Sequence, residues 1–521
     1  MKNLALPRIQ AMKPYSPPLN GRSRYDGLLL DFNERTSPPG GQVKRAYRQF
    51  GGSQKPQLYP EYYDLETKIA EYAGVEAGQA MITNGTDQAI SVIFRTFADK
   101  GDKVVIPDPS FAMYAQAARI SGNRIVSPLY PEDSLAFPLA EVLAAIDAKV
   151  KLIVVCNPNS PTGTLVPIRD IERIAKQAKN AIVYVDEAYF EFSGCSAASL
   201  IKRSPNVIIS RTFSKAFGLA GLRIGYIIAD RRYIIEMLKV RGPYDVNQAA
   251  CGAALAALDD VKVMQAYAGE VTKRAKPLVE KFFERNGITF YPSAGNFILF
   301  KPAEPEKVLK TLKRNGILVR PQDKPNIRGT LRLTVGTADQ MEAFIRVYET
   351  AGLKPRQQKY AFLDRDGTLI FEPPDNRQVD SLDKLRILDG VITGLKRLVN
   401  LDYKLVLVSN QDGLGTAAFP AGAFELPQAA MLKAFSDAGI MFERIFICPH
   451  LEQAGCNCRK PKTGLLDEFF RTTNVDLAKS FLCGDRENDK GLAKAMGLTF
   501  APMPTNGNFL KAIKPFIRRT S

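Results

Sequence analysis

Short apolar runs alternate with longer stretches of helical pattern along much of this chain. The predicted strands in the stretch 75–240 are residues 103–106, 152–156, 182–185 and 207–210. The same alternation returns nearer the C-terminus, at residues 360–363, 404–409 and 480–484. Strands separated by helices are typical of a largely parallel sheet with helices packed on its faces. The sequence therefore predicts an α/β fold.

The length of the chain predicts more than one compact unit, because 521 residues exceed the ~100–200 of a single domain. A polar segment, GLKPRQQKY, follows a helical pattern and leads directly into a new apolar strand. We therefore place a domain boundary near residues 355–357, which divides the chain into residues 1–355 and 356–521.

Composition and charge exclude several classes of protein. The apolar run at 152–156 is far shorter than the ~18 residues that a membrane span needs. The N-terminus is broken by Pro7, so we expect no signal peptide and a cytoplasmic enzyme. The net charge is +17, of which residues 1–355 carry +13. No block of five or six basic residues occurs, which favours a solvated surface and predicts no nucleic-acid or membrane partner.

Polar side chains follow three predicted strands of the first part. Asn157, Asp186 and Lys215 come at or after strand ends, and the carboxyl ends of strands in an open α/β sheet form a ligand site. A shielded lysine there can act as a Schiff-base nucleophile, and an aspartate facing it can hold a pyridinium proton, as pyridoxal phosphate requires. Upstream, the backbone N–H groups around Gly85 and Thr86 would suit a phosphate at a helix N-terminus.

Residues 1–355 resemble fold-type I aminotransferases, and most closely the histidinol-phosphate aminotransferases. The stretches that carry the resemblance are LYPEYYDLETKIAEYAG, NGTDQA, PSFAMY, NPNSPTG, VDEAYFEF, RTFSKAFGLAGLRIGY, GILVR and LRLTVGT. The resemblance implies a large and a small α/β domain, a pyridoxal 5′-phosphate cofactor and a homodimer.

The resemblance also implies a role for individual residues. Lys215 would form the Schiff base and move the proton between the substrate Cα and the cofactor C4′, while Asp186 would pair with the pyridine nitrogen. The other implied cofactor contacts are Asn157 and Tyr189 to the ring oxygen, Phe111 stacked on the ring, Thr86, Ser214 and Arg223 to the phosphate, and Tyr59 to the phosphate held by the neighbouring subunit.

Two arginines are assigned to the substrates by the same resemblance. Arg320 and Arg332 would bind the glutamate carboxylates and the substrate phosphate, since a guanidinium meets such groups with two parallel hydrogen bonds. The chain departs from the family pattern at two places: Asn-Glu-Asn-Pro is here Asn33-Glu34-Arg35, and the usual Glu after the NG-S/T-D motif is Gln88.

The second part begins with a pair of aspartates in DRDGT, directly after a predicted strand. Asp364 can attack a phosphorus atom, and Asp366 can serve as the acid for the leaving oxygen. Asp485 in GDRENDK adds a carboxylate, and such a group favours Mg²⁺ with the phosphate of a substrate. Ser409 and Lys460 supply a hydroxyl and a cation for the transferring phosphoryl group. An Asp-Gly turn explains only the DG dipeptide.

Residues 357–521 resemble the histidinol-phosphatase domain of the haloacid dehalogenase superfamily, a Rossmann-like fold. The matching stretches are DRDGTLIFEPP, QVDSLDKL, NQDGLGTAAFP, ICPHL and CNCRKPK. The resemblance implies that Asp364 forms an aspartyl-phosphate and that Asp366 is the general acid and base. It also implies that Asp364, the main-chain carbonyl of Asp366 and Asp485 bind Mg²⁺. Relatives that hydrolyse heptose bisphosphate have the same arrangement of motifs, so the motifs predict the mechanism better than the substrate.

Three of the seven cysteines surround the chain's single histidine. Cys448, His450, Cys456 and Cys458 lie within eleven residues, and three thiolates with one imidazole are the donor set of structural zinc sites. The odd cysteine count, without an export signal, argues against a disulfide framework. The family resemblance also implies zinc in this loop, so a closed structural Zn²⁺ site is predicted.

These observations predict a bifunctional enzyme of histidine biosynthesis. The first part would transfer an amino group from glutamate to imidazole acetol phosphate, and the second would hydrolyse the product, histidinol phosphate, to histidinol. An alternative is an aminotransferase for aromatic or other amino acids joined to a sugar-phosphate phosphatase. A third hypothesis, prompted by the charge of +13, is a pyridoxal-phosphate-bound sensor or nucleic-acid-binding module.

Overall fold

The computed structural model describes residues 4–53, 55–353 and 357–517. They form two compact units, the first containing residues 4–283 and 289–353, the second containing residues 357–517 and the short segment 284–288. The predicted boundary between residues 355 and 356 falls outside the described residues and stays a prediction.

The first unit contains three sheets. Its strands are β1 (Leu28–Leu29), β2 (Ala80–Thr83), β3 (Lys103–Val105), β4 (Arg124–Val126), β5 (Val150–Cys156), β6 (Ile182–Asp186), β7 (Val207–Thr212), β8 (Gly225–Ile228), β9 (Thr289–Tyr291), β10 (Phe297–Lys301), β11 (Ile317–Leu318), β12 (Arg320–Pro321) and β13 (Leu331–Thr334). The four strands predicted in this unit are confirmed as β3, β5, β6 and β7, with ends that differ by at most two residues.

The largest sheet has seven strands in the order β2-β8-β7-β6-β5-β3-β4. Strands β3 to β7 pair in parallel, whereas β8 is antiparallel to both of its neighbours. Strand β2 therefore runs in the same direction as β7. The loops that follow β2, β5, β6 and β7, and the loop that precedes β8, consequently meet at one edge of the sheet.

Helices cover this sheet and give the unit its core. The α-helices before residue 354 are Pro7–Gln10, Gly41–Gly51, Tyr63–Ala73, Gly85–Phe97, Ala112–Ser121, Leu139–Ala144, Ile168–Gln177, Phe190–Ser193, Arg231–Leu238, Gln248–Asp259, Val261–Gly269, Lys276–Arg285, Pro305–Arg314 and Ala338–Thr350. Helix Gly85–Phe97 shows why they pack here: Ile90, Ile93 and Phe94 share one face and are buried in an apolar cluster with residues of the sheet.

A smaller antiparallel sheet, in the order β12-β13-β10-β9, also belongs to the first unit. Arg320 on β12 lies directly opposite Arg332 on β13. Since directly opposed residues share a face of the sheet, the two arginines are neighbours. Strands β1 and β11 form a separate parallel pair.

The second unit is built on five parallel strands in the order β16-β15-β14-β17-β18. They are β14 (Lys359–Leu363), β15 (Tyr403–Asn410), β16 (Phe442–Cys448), β17 (Phe481–Gly484) and β18 (Thr499–Pro502). Its α-helices are Val391–Asn400, Ala421–Asp437, Asp467–Thr472, Glu487–Ala495, Phe509–Ala512 and Lys514–Ile517. The three strands predicted here are confirmed as β14, β15 and β17.

Apolar clusters on both faces of this sheet explain its continuous burial. Ala361 and Leu363 of β14 belong to one cluster, while Tyr360 and Phe362 belong to the other, as the alternation of a strand requires. No helix in the described parts of the chain has the length and apolar character needed to cross a bilayer.

Candidate active sites

A phosphate-sized cradle lies at the N-terminus of helix Gly85–Phe97 in the first unit. The Thr86 hydroxyl is buried and has no hydrogen-bond partner among the described residues. Arg223 donates through Nη1 to the Ser214 hydroxyl at 3.4 Å and through Nη2 to Asp87 at 2.9 Å. Gly85 has a φ of +67°, a left-handed conformation that favours glycine, and a Cβ there would lie 2.6 Å from Arg223 Nη2. An unpaired hydroxyl, a cation and a helix N-terminus together suit a phosphate.

Asp186, the last residue of β6, is buried behind this edge of the sheet. Its Oδ2 accepts a hydrogen bond of 2.6 Å from the Tyr114 hydroxyl, and its Oδ1 accepts one from the backbone N–H of Ala188. Burial raises the pKa of Asp186 to about 6, although the hydrogen bond from Tyr114 opposes the shift. A buried carboxylate of this kind gains stability from a cationic partner such as a pyridinium N–H.

Lys215 follows β7 at the same edge. Its ammonium donates to the backbone carbonyl of Phe32 at 2.8 Å and lies 5.8 Å from the centre of the Tyr189 ring. The Tyr189 hydroxyl accepts a hydrogen bond of 2.9 Å from Asn33 Nδ2, so its own proton stays available to an acceptor in the site. The structure thus brings Lys215, Tyr189 and the segment around Asn33 together.

The two predicted substrate arginines stand side by side near this segment. Arg332 donates to the Ser160 hydroxyl at 3.0 Å and to the Asp31 backbone carbonyl at 2.9 Å, and its Nε is buried without a hydrogen-bond partner among the described residues. Burial and the charge of Arg320 lower the pKa of Arg332. Two cations that stand directly opposite each other suit an anionic ligand.

Other predicted contacts are less complete in a single chain. The Asn157 side chain exchanges two hydrogen bonds with the backbone of Val166, which leaves one amide hydrogen for the predicted ring oxygen. Phe111 caps helix Ala112–Ser121 and packs edge-on against Tyr114 at 5.8 Å between ring centres. Tyr59 is 74% exposed and stacks on Tyr244 at 4.2 Å.

The two departures from the family pattern have partners of their own. Gln88 accepts a hydrogen bond from the backbone N–H of Asn84 and donates to Asp245. Glu34 pairs with Arg22, which also binds Asp31 at 2.8 Å. Tyr114, Asn33 and Ser160 contribute contacts that the sequence did not assign. Tyr114 belongs to PSFAMY, so its motif was visible although its role was not.

The second candidate site is centred on a buried ion cluster at the carboxyl edge of the five-stranded sheet. Lys460 Nζ contacts Asp364 Oδ1 at 2.5 Å, Asp489 Oδ1 at 2.6 Å and the Val408 carbonyl at 2.9 Å. Burial alone would lower the pKa of Lys460, but the two carboxylates raise it. Burial raises the pKa of Asp364, and the charge of Lys460 opposes this. Lys460 therefore stays charged beside the carboxyl group predicted to react.

Three carboxyl groups converge beside that lysine. Oxygen atoms of Asp364, Asp485 and Asp489 lie within 4.8 Å of one another, and Asp485 Oδ1 is buried without a hydrogen-bond partner among the described residues. Oxygen donors of this kind suit Mg²⁺. Asp489 was not assigned from the sequence. It lies four residues after Asp485 in the same motif, in the first turn of helix Glu487–Ala495, and this closeness in sequence is the signal that could have found it.

Asp366 lies beside this cluster, and both of its carboxylate oxygens accept hydrogen bonds. Arg365 Nη1 donates to Oδ1 at 2.6 Å, and Gln411 Nε2 donates both to Oδ2 at 2.6 Å and to the Ser409 hydroxyl at 2.8 Å. The structure therefore brings together Asp364, Asp366, Ser409 and Lys460 as predicted. They line a cavity of ≈ 190 Å³.

The predicted zinc ligands form a compact cluster after β16. Cys448 Sγ lies 3.6 Å from His450 Nδ1, 3.7 Å from Cys456 Sγ and 3.3 Å from Cys458 Sγ. Donors on one tetrahedral zinc at ~2.3 Å would be roughly 3.5–3.8 Å apart, so all four can bind a single ion. All four positions are then filled by protein, as in a structural site.

The class of the first unit follows from its fold, its site and its relatives. The family model described as Aminotransferase class I and II matches residues 26–347, and the chain belongs to that family. The histidinol-phosphate aminotransferase of Symbiobacterium thermophilum is 33% identical over 353 residues, which cover 66% of this chain and 97% of that protein. The enzyme of the same description from Lactiplantibacillus plantarum is 35% identical over 359 residues, covering 66% and 99%. Within the class, the first unit is a member of the histidinol-phosphate aminotransferase family.

Solved structures confirm the expected fold. A histidinol-phosphate aminotransferase from Sinorhizobium meliloti, solved with pyridoxal-5′-phosphate, aligns with a TM-score of 0.61 at 24% identity over 67% of this chain and 99% of that chain. An aspartate aminotransferase mutant from Thermus thermophilus aligns with a TM-score of 0.57 at 23% identity, covering 67% and 99%. The first unit has the fold-type I aminotransferase fold.

The second unit matches a different family model. Residues 359–503 match the model described as Polynucleotide kinase 3 phosphatase. This supports a phosphatase-like domain on a parallel, Rossmann-like sheet.

We predict that Gly85→Ala weakens binding of pyridoxal phosphate. The position has a φ of +67°, and its Cβ would approach Arg223 Nη2 to 2.6 Å, so either the helix start or the guanidinium must move. A left-handed non-glycine residue costs about 1–2 kcal/mol, and we expect an affinity loss of about tenfold or more in an absorbance titration. Gly221→Ala, in the 3-10 turn Ala220–Leu222, where a Cβ meets nothing within 4 Å, should bind normally. Equal affinities for both variants would contradict the assigned cradle.

We also predict that the purified protein carries about one zinc ion per chain, held by the four clustered donors. Cys456→Ser should lose nearly all of this zinc in elemental analysis and should lower the melting temperature of the second unit, because a structural ion contributes to folding. Cys195→Ser, a cysteine outside the cluster, should keep the metal. Zinc content unchanged by Cys456→Ser would rule out this site.

Proposed function

We propose that the first unit transaminates imidazole acetol phosphate with glutamate to give histidinol phosphate and 2-oxoglutarate. The observation that best supports this proposal is that Lys215, Asp186 and the Thr86 cradle lie at one edge of the sheet. The chain that carries them belongs to the histidinol-phosphate aminotransferase family. Pyridoxal phosphate, when bound, would supply an electron sink for the carbanion at the substrate Cα.

The residues of this chain would then have separate tasks. Thr86, Ser214 and Arg223 would hold the cofactor phosphate, and Asp186 would hold a proton on the ring nitrogen. Lys215 would accept the proton from the substrate Cα and deliver it to C4′ of the cofactor. Arg320 and Arg332 would bind the anionic ends of the two substrates in turn.

A homodimer is part of this proposal. Leu58, Tyr59, Tyr63 and Tyr244 are 55–79% exposed, which is unusual for large apolar side chains unless another surface covers them. We propose that a second copy of the chain covers them, so that Tyr59 reaches the cofactor phosphate of its neighbour.

We propose that the second unit hydrolyses the phosphate ester of histidinol phosphate. Asp364 would attack the phosphorus, the P–O bond to histidinol would break with its electron pair on oxygen, and Asp366 would donate the proton to that oxygen. Water would then attack the aspartyl-phosphate, Asp366 would take the water proton, and the electron pair of the broken bond would return to the Asp364 carboxylate. Asp364, Asp485 and Asp489 would hold Mg²⁺, which supplies positive charge beside the transferring phosphoryl group.

A nucleic-acid 3′-phosphate is the second candidate substrate, favoured by the family model that matches residues 359–503. Three of the four cations that line the cavity favour the smaller substrate, because Arg459 is paired with Asp412, Arg486 with Glu372 and Lys460 with two aspartates. The fourth, Arg377, is exposed. Binding of a polyanion depends on cations that are free to neutralise phosphates. The pairing of the two units also supports histidinol phosphate, because the product proposed for one is the substrate proposed for the other.

We predict complementary losses in a coupled assay with imidazole acetol phosphate, glutamate and Mg²⁺. The unmodified protein should release both 2-oxoglutarate and inorganic phosphate. Lys215→Ala should lower 2-oxoglutarate formation by about 10³-fold or more yet still hydrolyse added histidinol phosphate, whereas Asp364→Asn should accumulate histidinol phosphate. Each variant removes one reacting group and leaves the other unit intact.

Matched controls are Lys202→Ala and Asp437→Asn, both on the surface, which should leave both reactions unchanged. Amination of phenylpyruvate but not of imidazole acetol phosphate would overturn the assignment of the first unit. Release of phosphate from heptose bisphosphate or a 3′-phosphorylated oligonucleotide, but not from histidinol phosphate, would overturn that of the second.

A further inference from the structure

We propose that Arg365 and Gln411 are positioning residues that hold the two carboxylate oxygens of Asp366 and aim this group at the leaving-group oxygen. The inference rests on the proposed phosphatase function and assigns to these two side chains a part in its proton transfers.

Arg365 is a charged side chain buried at a position where an apolar side chain would give a more stable fold. Its side chain is 0% exposed, and Asp366 is its only ion-pair partner in the described chain. Its Nε donates to Gln428 at 2.9 Å, and the guanidinium lies over the Phe424 ring at 4.9 Å. Burying an ion is unfavourable even after the surroundings relax, unless a partner compensates its charge. The pairing with Asp366 offsets part of that cost and fixes one oxygen of a group predicted to move protons.

The contacts on the other side of Arg365 fix its direction. Both Gln428 and Phe424 belong to helix Ala421–Asp437, so the guanidinium is held between that helix and the catalytic loop after β14. Arg365 Nη2 is buried without a hydrogen-bond partner among the described residues. The contacts with this helix therefore hold the guanidinium in place, and its Nη1 in turn holds Oδ1 of Asp366.

Gln411 binds the second carboxylate oxygen of Asp366 and also the hydroxyl of Ser409, which is predicted to bind the phosphoryl group. Its Nε2 donates to Asp366 at 2.6 Å and to Ser409 at 2.8 Å, and its backbone N–H donates to the Cys448 carbonyl at 2.8 Å. The side chain is 4% exposed. An amide has a donor and an acceptor end, so a reversed Gln411 could accept the proton of a protonated Asp366. One residue can therefore pair with both protonation states of the acid and base.

Because Arg365 and Gln411 would act through the acid, the loss of activity in their variants should depend on the leaving group of the substrate. An alkyl phosphate such as histidinol phosphate needs a proton on its leaving oxygen, whereas p-nitrophenyl phosphate releases a stable phenolate without one. Arg365→Met should lower kcat/KM for histidinol phosphate by about 30-fold or more, and that for the aryl ester by less than about fivefold. The first irreversible step sets kcat/KM, so the comparison reports on protonation of the leaving group.

Further variants make the test independent of one substitution. Gln411→Met should show the same difference between the two esters, and Arg365→Lys, which keeps the charge, should restore part of the loss. Arg386→Met removes another arginine that stacks on an aromatic ring, that of Phe371 at 4.2 Å, and should behave like the unmodified protein. Melting curves identify variants that have lost their fold, and Gln411→Met then decides the outcome.

The outcomes separate the two levels of the proposal. Equal falls with both esters, or no fall in any folded variant, would overturn the roles of Arg365 and Gln411 while the phosphatase function stands. Unmodified protein that cleaves neither ester with Mg²⁺ would overturn the proposed function, and this inference with it.

Discussion

Both candidate sites depend on one constraint, the common edge at which parallel strands end. In the second unit, β14, β15 and β17 run in the same direction, so Asp364, Ser409 and Asp485 meet although more than 100 residues separate the first from the last. In the first unit, β6 and β7 bring Asp186 and Lys215 to one edge in the same way. Helices that start at this edge add N–H groups where phosphate charge can be held.

Buried charge gives these sites their shape, and it must be paired to be stable. Lys460 lies between Asp364 and Asp489, and Arg365 is fully buried beside Asp366. Removing one partner of such a pair costs about 3–5 kcal/mol, because the remaining ion stays buried alone. The carboxyl and cationic groups of the second unit therefore hold each other in place, and their burial strengthens the attraction between them.

Local patterns predicted the strands well. Each of the seven predicted strands is present, because buried parallel strands are short apolar runs bounded by turn residues. Lys215 and Asp364 lie within three residues of the ends of two of these strands, and their motifs were enough to predict a role for each. The roles of Tyr114, Gln411 and Asp489 were not predicted, because each depends on a contact with a residue on another element. The contact between Tyr114 and Asp186 spans 72 residues, and no local periodicity records it.

The sequence by itself determined which chemical groups are available: one lysine after β7, two aspartates after β14, and a single histidine grouped with three cysteines. It also determined the edge of the sheet on which they stand, since strand direction follows from alternation with helices. Only the tertiary structure decided which oxygen of Asp366 meets Arg365 and which meets Gln411, and that Arg320 stands opposite Arg332. The physical reason is that such contacts join distant segments through packing, and their distances are set by the whole core rather than by neighbours in sequence.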